Sequence, residues 1–264
     1  LLPFNFVRIL YLTLKSIFLL KHKKIEKVFS TGGYMSLPVI LAARFLKLDI
    51  YLIEPNQVLG RANKFFLNFS KKIFCYANNI KNYPDNFKNK IVIINPLVRK
   101  NIYKLDSFSK SKNQFTLLIV GGSQGANIFD KNLKNSIINI SKKFDIRVVQ
   151  QTSEKNILFL SNIYSKNKVE NKIFSFDRNF FNNIKQADLC ITRAGASTLA
   201  ELSVLNIPFI AVPLPTSKDN HQLENANFYK KYDCCWIIEQ KFFDEKIEGF
   251  LIEILNNKSD LLKK

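Results

Sequence analysis

Histidine, cysteine, glycine, proline and acidic residues are all scarce in this chain of 264 residues. The two histidines, His22 and His221, are too few and too far apart to build a metal cluster. Cys75, Cys190, Cys234 and Cys235 show no C-x-x-C spacing, and sequence neighbours rarely pair, so neither a zinc module nor a disulfide framework is expected. They read as buried thiols in a reducing compartment. No metal and no other cofactor is expected. Eight glycines and eight prolines exclude a low-complexity chain. Only 21 acidic residues oppose 40 Lys and Arg, a net charge of +19 whose field attracts polyanions without choosing among them. No RNA-binding signature, zinc-finger spacing or arginine-rich stretch accompanies the charge, so nucleic acid is not expected as a partner.

A long apolar run is also missing. Leu1–Leu20 is interrupted by Pro3, Asn5, Arg8 and Lys15, whereas a membrane-spanning helix needs about 20 predominantly apolar residues. It has neither a basic leader nor a small-residue cleavage site, so no signal peptide is expected. A helix lying on a surface fits better. The chain starts without Met, inside what reads as a helix, and is expected to be a fragment.

What is present is globular: 47% hydrophobic residues, enough for two ordinary domains. Short apolar strands, near residues 28–30, 50–53, 73–75 and 91–94, alternate with helical stretches. This pattern implies a parallel sheet covered on both faces. Residues 100–113 are polar and aperiodic and are expected to be a linker between a partial N-terminal domain, 1–99, and a C-terminal domain, 114–264. The alternation restarts with the continuous strand Phe115–Val120, and further strands are expected at 146–149, 172–174, 189–192, 209–212 and 235–238.

Two strand-to-helix junctions are rich in small residues. Gly121-Gly122-Ser123-Gln124-Gly125-Ala126 follows the strand ending at Val120 and opens a helix. Glycines there let backbone approach a ligand, and free helix N–H groups favour an anion. It is neither G-x-G-x-x-G nor a P-loop, and a plain tight turn explains it equally well. Arg193-Ala-Gly-Ala-Ser197-Thr198-Leu-Ala-Glu201 repeats the arrangement. Ser197 or Thr198 would cap the helix, and Glu201 is placed to receive hydroxyls of a ribose beside a diphosphate. A Thr198–Glu201 capping box would account for the same residues structurally. The second small-residue turn at a parallel strand's carboxyl end tips the balance towards ligand binding. Pro213-Leu-Pro-Thr216, followed by Lys218-Asp-Asn-His-Gln222, forms a polar loop whose Gln222 could reach sugar hydroxyls.

Taken in order and spacing, GGSQGA, RAGASTLAE and PLPTSKDNHQ closely resemble the MurG family, GT-B-type transferases of glycosyltransferase family 28. Thr31-Gly-Gly-Tyr-Met-Ser36 and Glu54-Pro-Asn56-Gln-Val-Leu-Gly60-Arg-Ala-Asn63 resemble the family's N-terminal turns. The resemblance covers nearly the whole chain. It implies two α/β, Rossmann-like domains of GT-B type, the first incomplete. It also implies transfer of N-acetylglucosamine from UDP-N-acetylglucosamine to lipid I, forming lipid II for peptidoglycan. Another UDP-sugar transferase with a lipid acceptor, or a UDP-N-acetylglucosamine 2-epimerase, is the alternative. The epimerase would be expected to show more histidines and acids in its site.

Carried over residue by residue, the resemblance implies these donor contacts: Asn56 and Arg99 from the interdomain side, Ser123 at the diphosphate, and the backbone at Phe176–Asp177 on uracil. Ala196, Ser197, Thr198, Leu199, Ala200 and Glu201 would line the diphosphate and ribose, and Gln222 would hold the sugar. Asn95-Pro-Leu-Val-Arg99 is one residue longer than the family's N-P-x-R, and Asp177 stands where the family has Ile. The family's Gly-rich loop with its His has no counterpart, a gap of about 30 or more residues. No general base is identified, and the chain alone is expected to bind donor without turning it over. The resemblance further implies an inverting single displacement and a peripheral position on the cytoplasmic face of the plasma membrane. There, Phe4, Val7, Tyr11, Leu14 and Phe18, rimmed by Arg8, Lys15 and Lys21–Lys24, would meet anionic lipid.

Overall fold

Alternating apolar strands and amphipathic helices fold into two units, Leu1–Pro96 and Leu97–Lys264. The computed structural model describes residues 2–102, 114–177 and 180–257, with backbone alone at 2–5, 101 and 122–126. The division falls between Pro96 and Leu97, so Arg99 belongs to the second unit and not to the first as expected. Most of the expected linker, residues 103–113, lies outside the described residues.

The first unit starts with α1 (Leu2–His22), then β1 (Lys27–Ser30), α2 (Leu37–Phe45), β2 (Asp49–Glu54), α3 (Arg61–Phe66), β3 (Lys72–Cys75) and β4 (Ile91–Ile93). The four strands pair in chain order, all parallel. Alternation along the strands sends Val28, Ile50, Leu52, Ile73 and Cys75 to one face. There they are buried with Leu20, Ile40, Ala43 and Phe66 from the three helices. The opposite face carries Phe29, Tyr51 and Phe74, stacked on one another across adjacent strands. Phe29 remains 59% exposed. The sequence pattern predicts helices on both faces. Among the described residues of this unit they cover one, and on the other the rings shield each other.

The second unit contains β5 (Phe115–Val120), α4 (Gly122–Ser141), β6 (Ile146–Gln151), α5 (Ile157–Lys166), β7 (Glu170–Phe174) and α6 (Phe180–Lys185). It continues with β8 (Leu189–Thr192), α7 (Ala196–Val204), β9 (Phe209–Ala211), α8 (His221–Lys230), β10 (Cys235–Ile237) and α9 (Phe243–Asn256). Here both faces are covered, and every residue of β5 is buried. Leu117 and Ile119 pack with Phe129, Leu133 and Phe243 on one side, and Leu118 and Val120 with Leu199, Leu202 and Ala226 on the other. All strands are parallel in the order β10-β9-β8-β5-β6-β7. The chain builds outward from β5 through β6 to β7, then returns to β5's other side with β8. That reversal makes a topological switch point between β5 and β8, where open α/β sheets leave a crevice beyond the strand ends.

Candidate functional site

The two small-residue junctions leave the sheet at this switch point. Val120 pairs with Thr192 in register, and the Arg193 amide donates to the Val120 carbonyl, so the junctions are side by side. Gly121 is the N-cap of α4 and Gly195 that of α7, and neither helix has a side-chain cap. A glycine cap offers no acceptor to the first-turn amides, whose intrahelical partners are missing by geometry. Their N–H groups and the positive end of each helix dipole therefore favour an anion at this spot. Ser123 lies in the first turn of α4.

The structure corrects the expected cap of α7. Ser197 and Thr198 lie inside the helix and do not cap it. Glu201 closes no capping box. It accepts two hydrogen bonds from Arg99, Nε to Oε1 and Nη2 to Oε2, each 2.7 Å. The Glu201 side chain is 9% exposed and that of Arg99 46%. The Arg99 guanidinium also lies over the Phe180 ring, 5.5 Å from its centroid. Leu199 and Ala200 are fully buried in the core, so they can serve a ligand only through backbone. Ala196 is partly buried and Ser197 exposed at the helix start.

Asp177 follows β7, two strands away from β5. Its carboxylate is held by Lys172 Nζ at 3.0 Å and Asn183 Nδ2 at 2.9 Å, and its carbonyl accepts the Phe180 amide. Its side chain is thus committed to fixing the loop. The chain of contacts from Asp177 through Phe180 and Arg99 to Glu201 joins this loop to α7. Gln222, on the first turn of α8, uses Oε1 to accept the Leu214 amide at 3.0 Å, which folds the 213–217 loop back onto the helix. Asp219 and Asn220 just before it adopt left-handed backbone, a costly conformation for residues other than glycine.

Asn56 lies in the first unit, at the end of β2. Its amide and side chain both donate to Glu54 Oε1, at 3.2 and 3.0 Å. Glu54 Oε2 receives the Gly60 amide at 2.8 Å and Asn63 Nδ2 at 3.0 Å. Gly32, in the neighbouring turn, has φ +77°, and a Cβ there would stand 2.8 Å from Asn63 Oδ1. That close approach explains the glycine.

Three residues with no role assigned from sequence build the site's frame. Arg193 is buried, donating to the carbonyl of Val212 at 3.0 Å and to Gln240 Oε1 at 2.7 Å. Burial pulls its pKa below the ordinary arginine value. A charged residue directly after the apolar strand Leu189–Thr192 was the available signal. Asn225 Nδ2 donates to the Ala194 carbonyl at 3.1 Å, tying α8 to the same turn. Asp130 on α4 accepts from Gln150, Thr152 and Asn156, pinning that helix to the end of β6. Among the described residues no group of His, Cys, Asp and Glu could hold a metal ion.

Comparison with known proteins gives the family. Residues 116–264 match the glycosyltransferase family 28 C-terminal domain, and residues 2–75 the glycosyltransferase family 28 N-terminal domain. A relative from Pelagibacter ubique is named UDP-N-acetylglucosamine--N-acetylmuramyl-(pentapeptide) pyrophosphoryl-undecaprenol N-acetylglucosamine transferase. It is 48% identical over 100% of this chain and 74% of its own length. One of the same name from Rickettsia canadensis is 38% identical over 92% of this chain and 71% of its own. Among solved structures, Acinetobacter baumannii MurG superposes with a TM-score of 0.76 at 24% identity, covering 97% of this chain and 73% of that one. A putative UDP-N-acetylglucosamine 2-epimerase from Listeria monocytogenes reaches 0.72 at 11% identity over 97% and 72%. These two likenesses speak for the shared fold. With both domain families matched and nearly half its residues identical to a relative of which it spans three quarters, this chain belongs to glycosyltransferase family 28.

Proposed function

We propose that this chain transfers N-acetylglucosamine from UDP-N-acetylglucosamine to undecaprenyl-pyrophosphoryl-N-acetylmuramyl-pentapeptide, making lipid II from lipid I in peptidoglycan synthesis. The observation that carries this reading is the pair of uncapped helix starts at the switch point, with Glu201 one turn behind. The amides of Ala196, Ser197 and Thr198, with the first turn of α4 around Ser123, receive the diphosphate. Glu201 receives ribose hydroxyls, backbone at Phe176–Asp177 reads the uracil edge, and Gln222 holds the sugar.

The acceptor hydroxyl attacks the anomeric carbon on the face opposite UDP. The new carbon–oxygen bond forms as the bond to the diphosphate breaks, and the hydroxyl proton passes to a base. Negative charge grows on the leaving diphosphate, where fixed N–H dipoles stabilise it without having to reorganise. No side chain present is assigned as that base.

The acceptor is lipid-linked, so the enzyme works at a membrane surface, in this reading the cytoplasmic face. Exposed Val7, Leu10, Tyr11, Leu14 and Phe18 on α1, with Arg8, Lys15 and the basic residues 21–24, support an interfacial helix. No helix among the described residues is long and apolar enough to cross a membrane.

The test is calorimetric titration with UDP-N-acetylglucosamine, followed by a transfer assay with a lipid I analogue in vesicles containing anionic lipid. Donor binding that UDP competes away is expected; robust disaccharide product from these 264 residues alone would overturn the expectation that they bind donor without turning it over. No UDP binding at millimolar concentration would remove the reading. Co-sedimentation indifferent to anionic lipid would remove the membrane part alone.

A further inference from the structure

We propose that Arg99 makes this site selective for nucleosides that carry a diphosphate, by occupying the Glu201 carboxylate until a phosphate draws the guanidinium away. The inference rests on the uridine diphosphate reading above.

Both Glu201 oxygens are engaged by one planar fork, at 2.7 Å each. Two parallel bonds of this kind use the edge of the carboxylate that spans both oxygens. A ribose diol presents two neighbouring hydroxyls, each seeking one oxygen, and so needs that same edge. Arginine and diol are competitors for one acceptor.

Which partner yields follows from their surroundings. Glu201 is 9% exposed, on a helix anchored in the core by Leu199, Ala200 and Leu202, so its carboxylate has little room to turn. Arg99 is 46% exposed and precedes the short turn Lys100–Ile102. Among the described residues its other guanidinium contact is the Phe180 ring. The arginine is the movable member. Glu201 is in the second turn of α7, and its side chain leans towards the helix start. The carboxylate that holds the fork is thereby directed towards the end of α7 that carries the amides of residues 196–198. A diphosphate resting there offers an acceptor pair of the geometry that arginine already satisfies on Glu201.

The exchange explains the selectivity. A nucleoside alone takes Glu201 from Arg99 and returns nothing to the displaced cation. Inorganic diphosphate alone draws Arg99 away and leaves Glu201 buried without a donor, which is costly. Only a ligand carrying both parts supplies new partners to both residues.

Titration of uridine and of UDP into the 264-residue chain and its Arg99→Ala and Arg99→Lys variants tests this. Removing the fork should tighten uridine binding, by up to about fivefold given the half-exposed pair. The same change should weaken UDP by about tenfold or more, the loss of a charge-assisted contact. Lysine keeps the charge without the fork, so Arg99→Lys should also tighten uridine while weakening UDP less than alanine does. This second variant serves if the alanine protein folds poorly, as a thermal melt would reveal. Uridine binding unchanged or weakened in both variants would overturn the inference and make Arg99 a support for Glu201. An unaltered chain that binds neither ligand would instead sink the site reading, and this inference with it.

Discussion

Glu54 and Glu201 are both buried glutamates in a family motif, one in each unit, and they are held in opposite ways. Glu54, 2% exposed, takes hydrogen bonds from Asn56, Gly60 and Asn63 among the described residues, all within nine residues of it. Such a carboxylate is fully occupied by its own loop and has nothing left to offer a ligand. Among the described residues Glu201 is held by Arg99, 102 residues away in sequence and itself half exposed. A local, saturated set of donors belongs to a scaffold. A single long-range partner in contact with solvent belongs to a site that can exchange it.

The largest expected effect that would break this contrast is on stability. Glu54→Ala leaves buried donors at Gly60 and Asn63 without an acceptor and should cost the first unit about 3 kcal/mol. UDP affinity should stay within about twofold, since each change acts on its own unit. Denaturant unfolding paired with calorimetry reads both; a stable variant with weakened UDP binding would reverse the assignment. Next comes Glu201→Ala, expected to weaken UDP by about tenfold or more while costing under about 1 kcal/mol of stability. Wild-type preference for UDP over 2′-deoxy-UDP should vanish in it. If that preference persists, the ribose is read elsewhere.

The smallest effect concerns Cys75, paired in register with Glu54. Burial, with the Glu54 charge adding to it, pushes its thiol from 9.0 up to about 12. The folded thiol thus holds its proton where the unfolded one loses it. The stabilisation is complete below about pH 9 and fades as the pH rises through 9 towards about 12. Unfolding measured between pH 8 and 11 should show this decline, and Cys75 should resist alkylation at pH 8 while the partly exposed Cys234 reacts. Rapid labelling of Cys75 would mean that the Glu54 loop opens easily.

Most of the elements are legible in the amino-acid pattern. The strands at residues 28–30, 73–75, 115–120 and 189–192 appear within one residue of where apolar runs and glycine-rich turns put them. Parallel architecture follows from their alternation with helices. The motifs themselves are also legible, because a strand followed by small residues and a helix is a local pattern. Less legible are the roles within them. Ser197 and Thr198 look like caps in the sequence, yet Gly195 starts the helix and leaves its amides open. Nor does the sequence show that the Asp177 carboxylate is held by Lys172 and Asn183, or that Gln222 Oε1 accepts the Leu214 amide.

The sequence by itself determined which segments form strands and helices, which turns are rich in small residues, and to which family the chain belongs. These depend on φ/ψ preference and on the period of apolar residues, which neighbours along the chain set. Only the tertiary structure decided that β8 lies against β5 and not beyond β7, which brings the two junctions together. It alone joined Arg99 to Glu201 and put the arginine in the second unit. Periodicity says which face a residue occupies but not which strand or side chain comes to meet it. That choice is made by packing between distant segments, where every buried donor and acceptor must find its partner at once.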